Sequence, residues 1–504
     1  ILIAAGMAGV GALTGPISAL AQSVPKRGGT LRLGMSGGSA SDSLDPRTYA
    51  DSIPIAYSLM IWNMLVEIDA KGHAVPELAE SWESKPGATE WIFNIRRGIA
   101  FGSGKTLDAD DVIYSINLHR GETKSAAKPL LAAIKSITKT ASHQIKLELA
   151  SGNADLPYVF SDYHLIIVPD GTTDFSKADG TGAFSLAEWQ PGVRVVAKRK
   201  PGNYWKPGRG NFDTVELRYI LDSTARTQAL MTGQVDAINR IDPKTVGFLS
   251  KNSAIKVSRT AGVGQRYSFV AHIDKDPFKS RDLVLALKYG IDRKKIVENV
   301  FSGYATVGND HTIGPMNKYF DPKQLQRPYD PDKARFHLKK SGFSGAIELQ
   351  VSEGAFAGAI DAGVVFQESA KKADIQLELK RVSGDGYWDN VWLKAPFCAV
   401  FWGNRPTAAQ QLSTSFLTGG TWNDTHYSNP KFDKLVVAAR AELDEVKRRA
   451  MYGEAQALVA EEAGMICFAV GDTMDGCTVK LMGLEPNGRF DMSDQRLAEK
   501  GWFA

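Results

Sequence analysis

The sequence predicts a mixed α/β protein of several domains, and three observations predict it. Segments in which apolar and polar residues alternate with period two are interleaved along the whole chain with segments of helical periodicity. The 504 residues suffice for roughly two to four domains. The composition, 43% hydrophobic and 23% charged, is that of an ordinary folded soluble chain, which excludes disordered, collagenous and disulfide-stapled architectures. No internal repeat or low-complexity tract interrupts the alternation.

Residues 1–21 (ILIAAGMAGVGALTGPISALA) carry no charge and end in Ala19-Leu20-Ala21, a small-x-small cleavage pattern, before the polar Gln22-Ser23. Glycines and Pro16 break the apolar run, so a removed export signal is expected rather than a membrane anchor. The mature chain then starts near Gln22 in the periplasm, and no Cys stands near Ala21 to carry a lipid. Gly29-Thr30-Leu31-Arg32-Leu33, Trp91-Ile92-Phe93-Asn94-Ile95 and Ile145-Lys146-Leu147-Glu148-Leu149 read as strands. Asp108, with Asp111 three residues on, caps a helix through Ile116. Residues 223–230 form a short helix stopped by Gly233. Ser280 caps a helix with Leu283, Leu287 and Ile291 on one face, and Asp292 caps the next. Asn429-Pro430 opens another, because Pro fits the first helical position. Residues 443–460 read as a further helix with Val446, Met451, Ala455 and Leu458 in one stripe.

Several segments imitate catalytic motifs. Gly102-Ser103-Gly104-Lys105-Thr106 ends like a phosphate-binding loop, but Ile99 stands where the first glycine belongs, so it reads as a β-turn. Gly342-Phe343-Ser344-Gly345 lacks nucleophile-elbow spacing. No two of the 8 histidines stand four apart, and Asn309-Asp310-His311 reads as a hydrogen-bonded loop rather than a metal site. The 3 cysteines exclude a cysteine-rich metal scaffold, and Cys467 and Cys477 read as buried hydrophobes, with a disulfide as the alternative. A net charge of +4 gives no argument for nucleic acid.

Ordered motifs over nearly the whole mature chain carry a family resemblance. Gly28-Gly29-Thr30-Leu31, Ser43-Leu44-Asp45-Pro46 and Pro76-Glu77-Leu78-Ala79-Glu80-Ser81-Trp82 come first, followed by residues 93–96 and 101–112. Gly180-Thr181-Gly182-Ala183-Phe184, Asn203-Tyr204-Trp205 and residues 222–236 follow, then Pro277-Phe278, Ile291-Asp292-Arg293 and Tyr329-Asp330-Pro331-Asp332-Lys333-Ala334. Together they resemble the peptide/opine/nickel class (family 5) of bacterial extracellular solute-binding proteins. Ala183 stands where the family usually has Pro, and Leu283-Val284-Leu285 replaces a Val-Arg pair. The resemblance implies a two-lobed periplasmic binding protein fold with a hinge and an extra subdomain in the first lobe. It divides the chain into residues 22–57, 178–262 and 474–504 for lobe I, 58–177 for the inserted subdomain, and 263–473 for lobe II.

The residues expected to face a ligand depart from the peptide binders of the family, which carry a Trp followed by an Asp for the peptide amine. Here the stretch reads Phe401-Trp402-Gly403-Asn404-Arg405-Pro406-Thr407, with no Asp and a new Arg. Thr421-Trp422-Asn423-Asp424-Thr425 follows. This pairing resembles a branch of the family whose ligands include opines and other plant-derived solutes. Arg405 offers a planar fork to a carboxylate, Asp424 an acceptor for an amine, and Trp402 and Trp422 stacking faces. Asn404, Thr407, Asn423, Arg266 and Tyr267 complete the candidate ligand set, with Asp162 and His164 as lesser candidates. Truncating Arg405 or Asp424 is then expected to weaken binding while leaving stability unchanged. The expected function is capture of a small peptide-like, opine-like or plant-derived solute in an interlobe cleft for a membrane ABC permease and its ATPase subunits, by a monomer that needs no cofactor, no metal and no nucleic acid. The alternatives are a secreted hydrolase of peptides or glycosides and, within the binding class, an oligosaccharide or metal-complex ligand. A hydrolase needs a nucleophile with its base or a spaced carboxylate pair, which no motif supplies.

Overall fold

The structure is a computed structural model that describes residues 25–504 except Ala50, Met316, Leu325, 384–386, Pro406 and Thr421. The expected export signal, residues 1–21, lies outside the described residues, as do Pro406 and Thr421 of the two candidate motifs. The strand Thr30–Met35 lies inside a seven-stranded sheet, with Thr214–Tyr219 on one side and Ala237–Ile238 on the other, both parallel to it. Arg194–Arg199 and Phe184–Gln190 extend one edge, and Thr473–Thr478 and Ile255–Thr260 the other. The wholly buried helix Ser52–Ile61 packs on it over a core that includes Leu31, Leu33, Trp62, Phe184, Phe212 and Leu217. Parallel strands joined through helices are what the interleaved periodicities dictate.

A six-stranded sheet runs Ala305–Val307, Met465–Gly471, Arg266–Ala271, Phe397–Trp402, Ile347–Val351, Leu377–Arg381. Met465–Gly471 is buried at every position, as an interior strand covered on both faces must be. Phe269, Phe366, Phe397 and Phe468 form the middle of this second core. Glu90–Ile95 and Gln144–Leu149 pair at the centre of a four-stranded antiparallel sheet with its own core around Phe93, Ile145 and Phe160.

The chain passes between the two large sheets at residues 261–265 and again at Asp472. The crossings lie side by side: Gly264 N–H donates to Gly471 O at 2.7 Å, and Gly262 N–H donates to the Asp472 carboxylate at 2.9 Å. Two adjacent links between two cores make a two-lobed molecule with a hinge.

Most local expectations hold. Asp108 and Asp111 form a capping box on Ala109–Asn117, Gly233 takes φ 71° behind Ser223–Met231, and Asn429 caps Pro430–Ala441. Ser280 and Asp292 cap Arg281–Gly290 and Arg293–Asn299. Residues 102–106 form a turn closed by an Ala100–Thr106 bridge. Asp310 is a loop residue paired with Arg293 (2.7 Å) and Arg327 (3.1 Å). Cys467 and Cys477 are free buried thiols in different sheets, which corrects the disulfide alternative. The stripe expected on the helix Glu445–Glu462 holds at Met451, Ala455 and Leu458, which join or pack on the core, and is corrected at Val446. Val446 is 80% exposed, and the buried face is Arg448, Tyr452, Ala455, Gln456 and Val459. Polar side chains occupy it because Arg448 meets Asp155 and Gln456 meets Tyr319, partners that periodicity does not register.

Candidate functional site

Two antiparallel neighbours of the six-stranded sheet start the site. Arg266 faces Trp402 and Tyr267 faces Phe401 in register, so the beginning of one strand and the end of the other meet at the edge facing the first lobe. Beyond Trp402 the chain turns through Gly403, Asn404 and Arg405 until Thr407 caps Ala408–Phe416, its hydroxyl accepting from Gln410 N–H at 3.1 Å. The Arg405 backbone N–H donates to the Gln411 side chain at 2.9 Å, which fixes where its side chain starts. Asn404 accepts from the Arg266 guanidinium and donates to Val263 O, joining this turn to the first crossing.

The second motif forms an aromatic wall. Trp422, 43% exposed, packs on Trp392 at 5.7 Å and Trp402 at 6.5 Å, and the Arg405 guanidinium lies over its ring at 5.3 Å. Asp424 stands behind this wall, fully buried, its Oδ2 accepting the indole N–H of both Trp392 and Trp402 at 3.0 Å. Burial pushes its carboxyl up to about 7 against the two indole donors, and its Oδ1 has no hydrogen-bond partner among the described residues. Asn423 holds the loop itself, donating to Leu417 O (3.1 Å) and Tyr427 O (2.7 Å). Tyr267 stacks on Phe301 at 4.7 Å.

The wall borders a cavity of about 1440 Å³ between the two large sheets. Its second-lobe wall includes Tyr267, Asn404, Arg405 and Trp422, and its opposite wall Tyr49, Tyr163, Arg240 and Phe490. A smaller extension of about 90 Å³ is lined by Arg266, Thr407, Tyr158 and Tyr319, and shares Asn404, Arg405 and Arg489 with the main cavity. Six of the nine expected site residues thus line the cavity or its extension, while Trp402, Asn423 and Asp424 support the wall from behind. Trp402, 3% exposed, reaches the site only through Trp422. Asp162 and His164 also line the cavity, joined to each other at 2.6 Å, with the other ring nitrogen of His164 on Tyr49 O at 2.8 Å.

Sequence reasoning missed Trp392, Arg240 and the C-terminal wall. Arg240 pairs with Asp51 (2.6 Å) and Asp491 (3.2 Å), and Arg489 with Asp494 (2.7 Å). The wall turns through four non-glycine residues, Met492 to Gln495, with φ between 51° and 65°. Only a tightly packed surrounding sustains such a left-handed turn. No pattern marks it; the proximity of Trp392 to Trp402 alone offered a signal.

Among the described residues no group of three or more His, Cys, Asp and Glu is placed to hold a metal, and no helix is long and apolar enough to cross a membrane. The arrangement is one of aromatic faces and fixed guanidinium groups around a space, suited to holding a polar molecule.

The chain resembles the glutathione-binding protein GsiB of Shigella boydii serotype 4, 25% identical over 492 residues that cover 91% of this chain and 93% of that one. The periplasmic binding protein DppA from Helicobacter pylori, solved with the peptide STSA, superposes with a TM-score of 0.75 at 20% identity, covering 95% of this chain and 98% of that one. AgaA from A. tumefacien R10, solved with agropinic acid, gives 0.74 at 20% identity, covering 94% and 99%. The last two likenesses establish the two-lobed fold. Residues 73–424 match the family described as bacterial extracellular solute-binding proteins, family 5 Middle. That family captures solutes, so the binding reading stands over the hydrolase alternative. The chain belongs to family 5 of the bacterial extracellular solute-binding proteins.

Proposed function

We propose that this protein captures a small peptide-like or opine-like solute in the cleft between its lobes, in the periplasm, and presents it to an ABC permease. One observation carries the reading. Arg405 lies over Trp422 at 5.3 Å, lines both parts of the cavity, and has no ion-pair partner among the described residues. A planar cation on an aromatic face, left unpaired in a cleft, is a carboxylate receptor. The relatives that hold glutathione, a peptide and agropinic acid support this size and chemistry. The lobe division at 262/263 and 473/474 belongs to the same reading, and the adjacent crossings at residues 261–265 and Asp472 support it. So does removal of residues 1–21 on export. Ligand contacts to both walls would favour the closed arrangement.

Mass spectrometry of small molecules released on denaturing the purified protein, followed by calorimetric titration of what is found, tests the proposal. A carboxylate-bearing solute whose affinity falls more than tenfold in Arg405→Ala is expected. A bound solute indifferent to that change overturns the site.

A further inference from the structure

We infer that the solute carries two acidic groups, one received by Arg405 and the other by Arg266 in the small extension of the cavity. The inference rests on the solute-binding reading above and names the charge class of its ligand. Arg266 is 3% exposed and lines the extension. Its guanidinium donates to two neutral acceptors, Gly264 O at 2.9 Å and the Asn404 side chain, and its Nε has no acceptor. Among the described residues it forms no ion pair. The site is shaped around this cation: a side chain at Gly314 would collide with the guanidinium, so a bare glycine lets it lie there.

A buried charge is retained only when something compensates it. Among the described residues no acid pairs with Arg266 or Arg405, and burial lowers the affinity of both for their protons. The acids along the cavity are already engaged. Asp51 and Asp491 hold Arg240, Asp155 holds Arg448, Asp472 holds Arg259, and Asp162 holds His164. Asp242 caps the helix Pro243–Leu249. Among the described residues the cavity therefore presents two unpaired guanidinium groups and no acid with a free carboxylate to match them. Asn404 bonds to one arginine and is the chain neighbour of the other, so a molecule of dipeptide size spans both. A single carboxylate satisfies one; a diacid satisfies both.

The test uses matched pairs of probes that differ by one carboxylate: the dipeptide Ala-Glu against Ala-Gln, and glutathione against its glycine ethyl ester. Thermal melts and calorimetric titrations on the full exported chain read the affinities. At least one diacid is expected to bind more than tenfold tighter than its partner. Arg266→Gln should erase that preference, bringing the affinities of the two members of a pair together, and Arg266→Lys should restore part of it. A variant that merely loosened the fold would weaken both members of a pair alike, so the ratio isolates the charge effect. Equal affinity within each pair overturns the second acidic group while leaving the solute-binding reading intact. If no probe of any charge shifts the melt, both the inference and the peptide-like reading fall together.

Discussion

Asp424 is the residue whose role the structure changes most. Among the described residues its carboxylate accepts two indole N–H groups on one oxygen and none on the other, out of contact with the cavity. Its influence on a ligand is therefore indirect, through the positions of Trp392, Trp402 and Trp422. Truncation to Ala leaves two buried indole donors without an acceptor, at about 1–3 kcal/mol each, so the sequence-based expectation of unchanged stability fails at this position. Asn is the informative substitution, because its carbonyl can take the position of Oδ2. Burial raises the folded-state carboxyl to about 7, above its unfolded value, so the cost of ionising it grows as pH rises from about 4 to about 7 and persists above. Asp424→Asn is thus expected to be more stable than the parent by on the order of a few kcal/mol at pH 8. The gap should shrink toward pH 4. Urea denaturation of both proteins across this range checks the sign.

The helix Glu445–Glu462 shows how an element is placed by one polar contact. Arg448 reaches Asp155 at 2.5 Å with both side chains 3% exposed, and also donates to Ala439 O (3.0 Å) and the Tyr319 hydroxyl (2.9 Å). The pair joins the second core to the segment beside the four-stranded sheet, where Ala154 N–H also donates to Arg440 O at 2.8 Å. Breaking a buried pair from one side strands the remaining charge, at about 3–5 kcal/mol. Arg448→Met should lose stability on that scale, and adding Asp155→Asn should recover much of it. A double-mutant cycle by urea unfolding reads the coupling. A loss below about 1 kcal/mol in the single variant would mean that apolar packing holds the helix.

At the scale of the molecule, a buried charge network ties the C-terminus to the first lobe. Glu67 and Glu499 share Lys206 and Arg209, and Arg496 bridges Glu77 (2.9 Å) and Glu499 (2.8 Å), with Lys500 on Glu67 at 3.2 Å. Burial opposes ionisation of the two glutamates, but the surrounding cations outweigh it. Glu499 is held down to about 2, against Glu67 and mainly by Lys206 and Arg496, and Glu67 lies below the ordinary carboxylate range, mainly through Arg496 and Lys206. Depressed carboxyls stabilise the fold fully above about pH 4.5, and that contribution disappears as pH falls toward 2. Unfolding free energy should therefore drop steeply between pH 4.5 and 3. Arg496→Met should be less stable at pH 6, with a flatter acid limb. An unchanged acid limb in that variant would assign the loss to other groups.

The sequence by itself determined the α/β class, the helix starts at Asp108, Ser223, Ser280, Asp292 and Asn429, and the order of motifs that places the chain in its family. Caps and periodicity depend on neighbours within one or two turns, so they are written locally. The aromatic and arginine content of the cleft was legible for the same reason, as residue types in adjacent motifs. Only the tertiary structure decided which of those residues face the space. Arg266 meets Asn404 across 138 residues because two strands pair in register, and Asp424 is withdrawn because Trp392 and Trp402 close over it. Arg489 and Asp491 enter from the C-terminal segment through a left-handed turn that no local rule favours. Exposure and charge pairing are properties of neighbours in space, and those are fixed only when the two lobes come together.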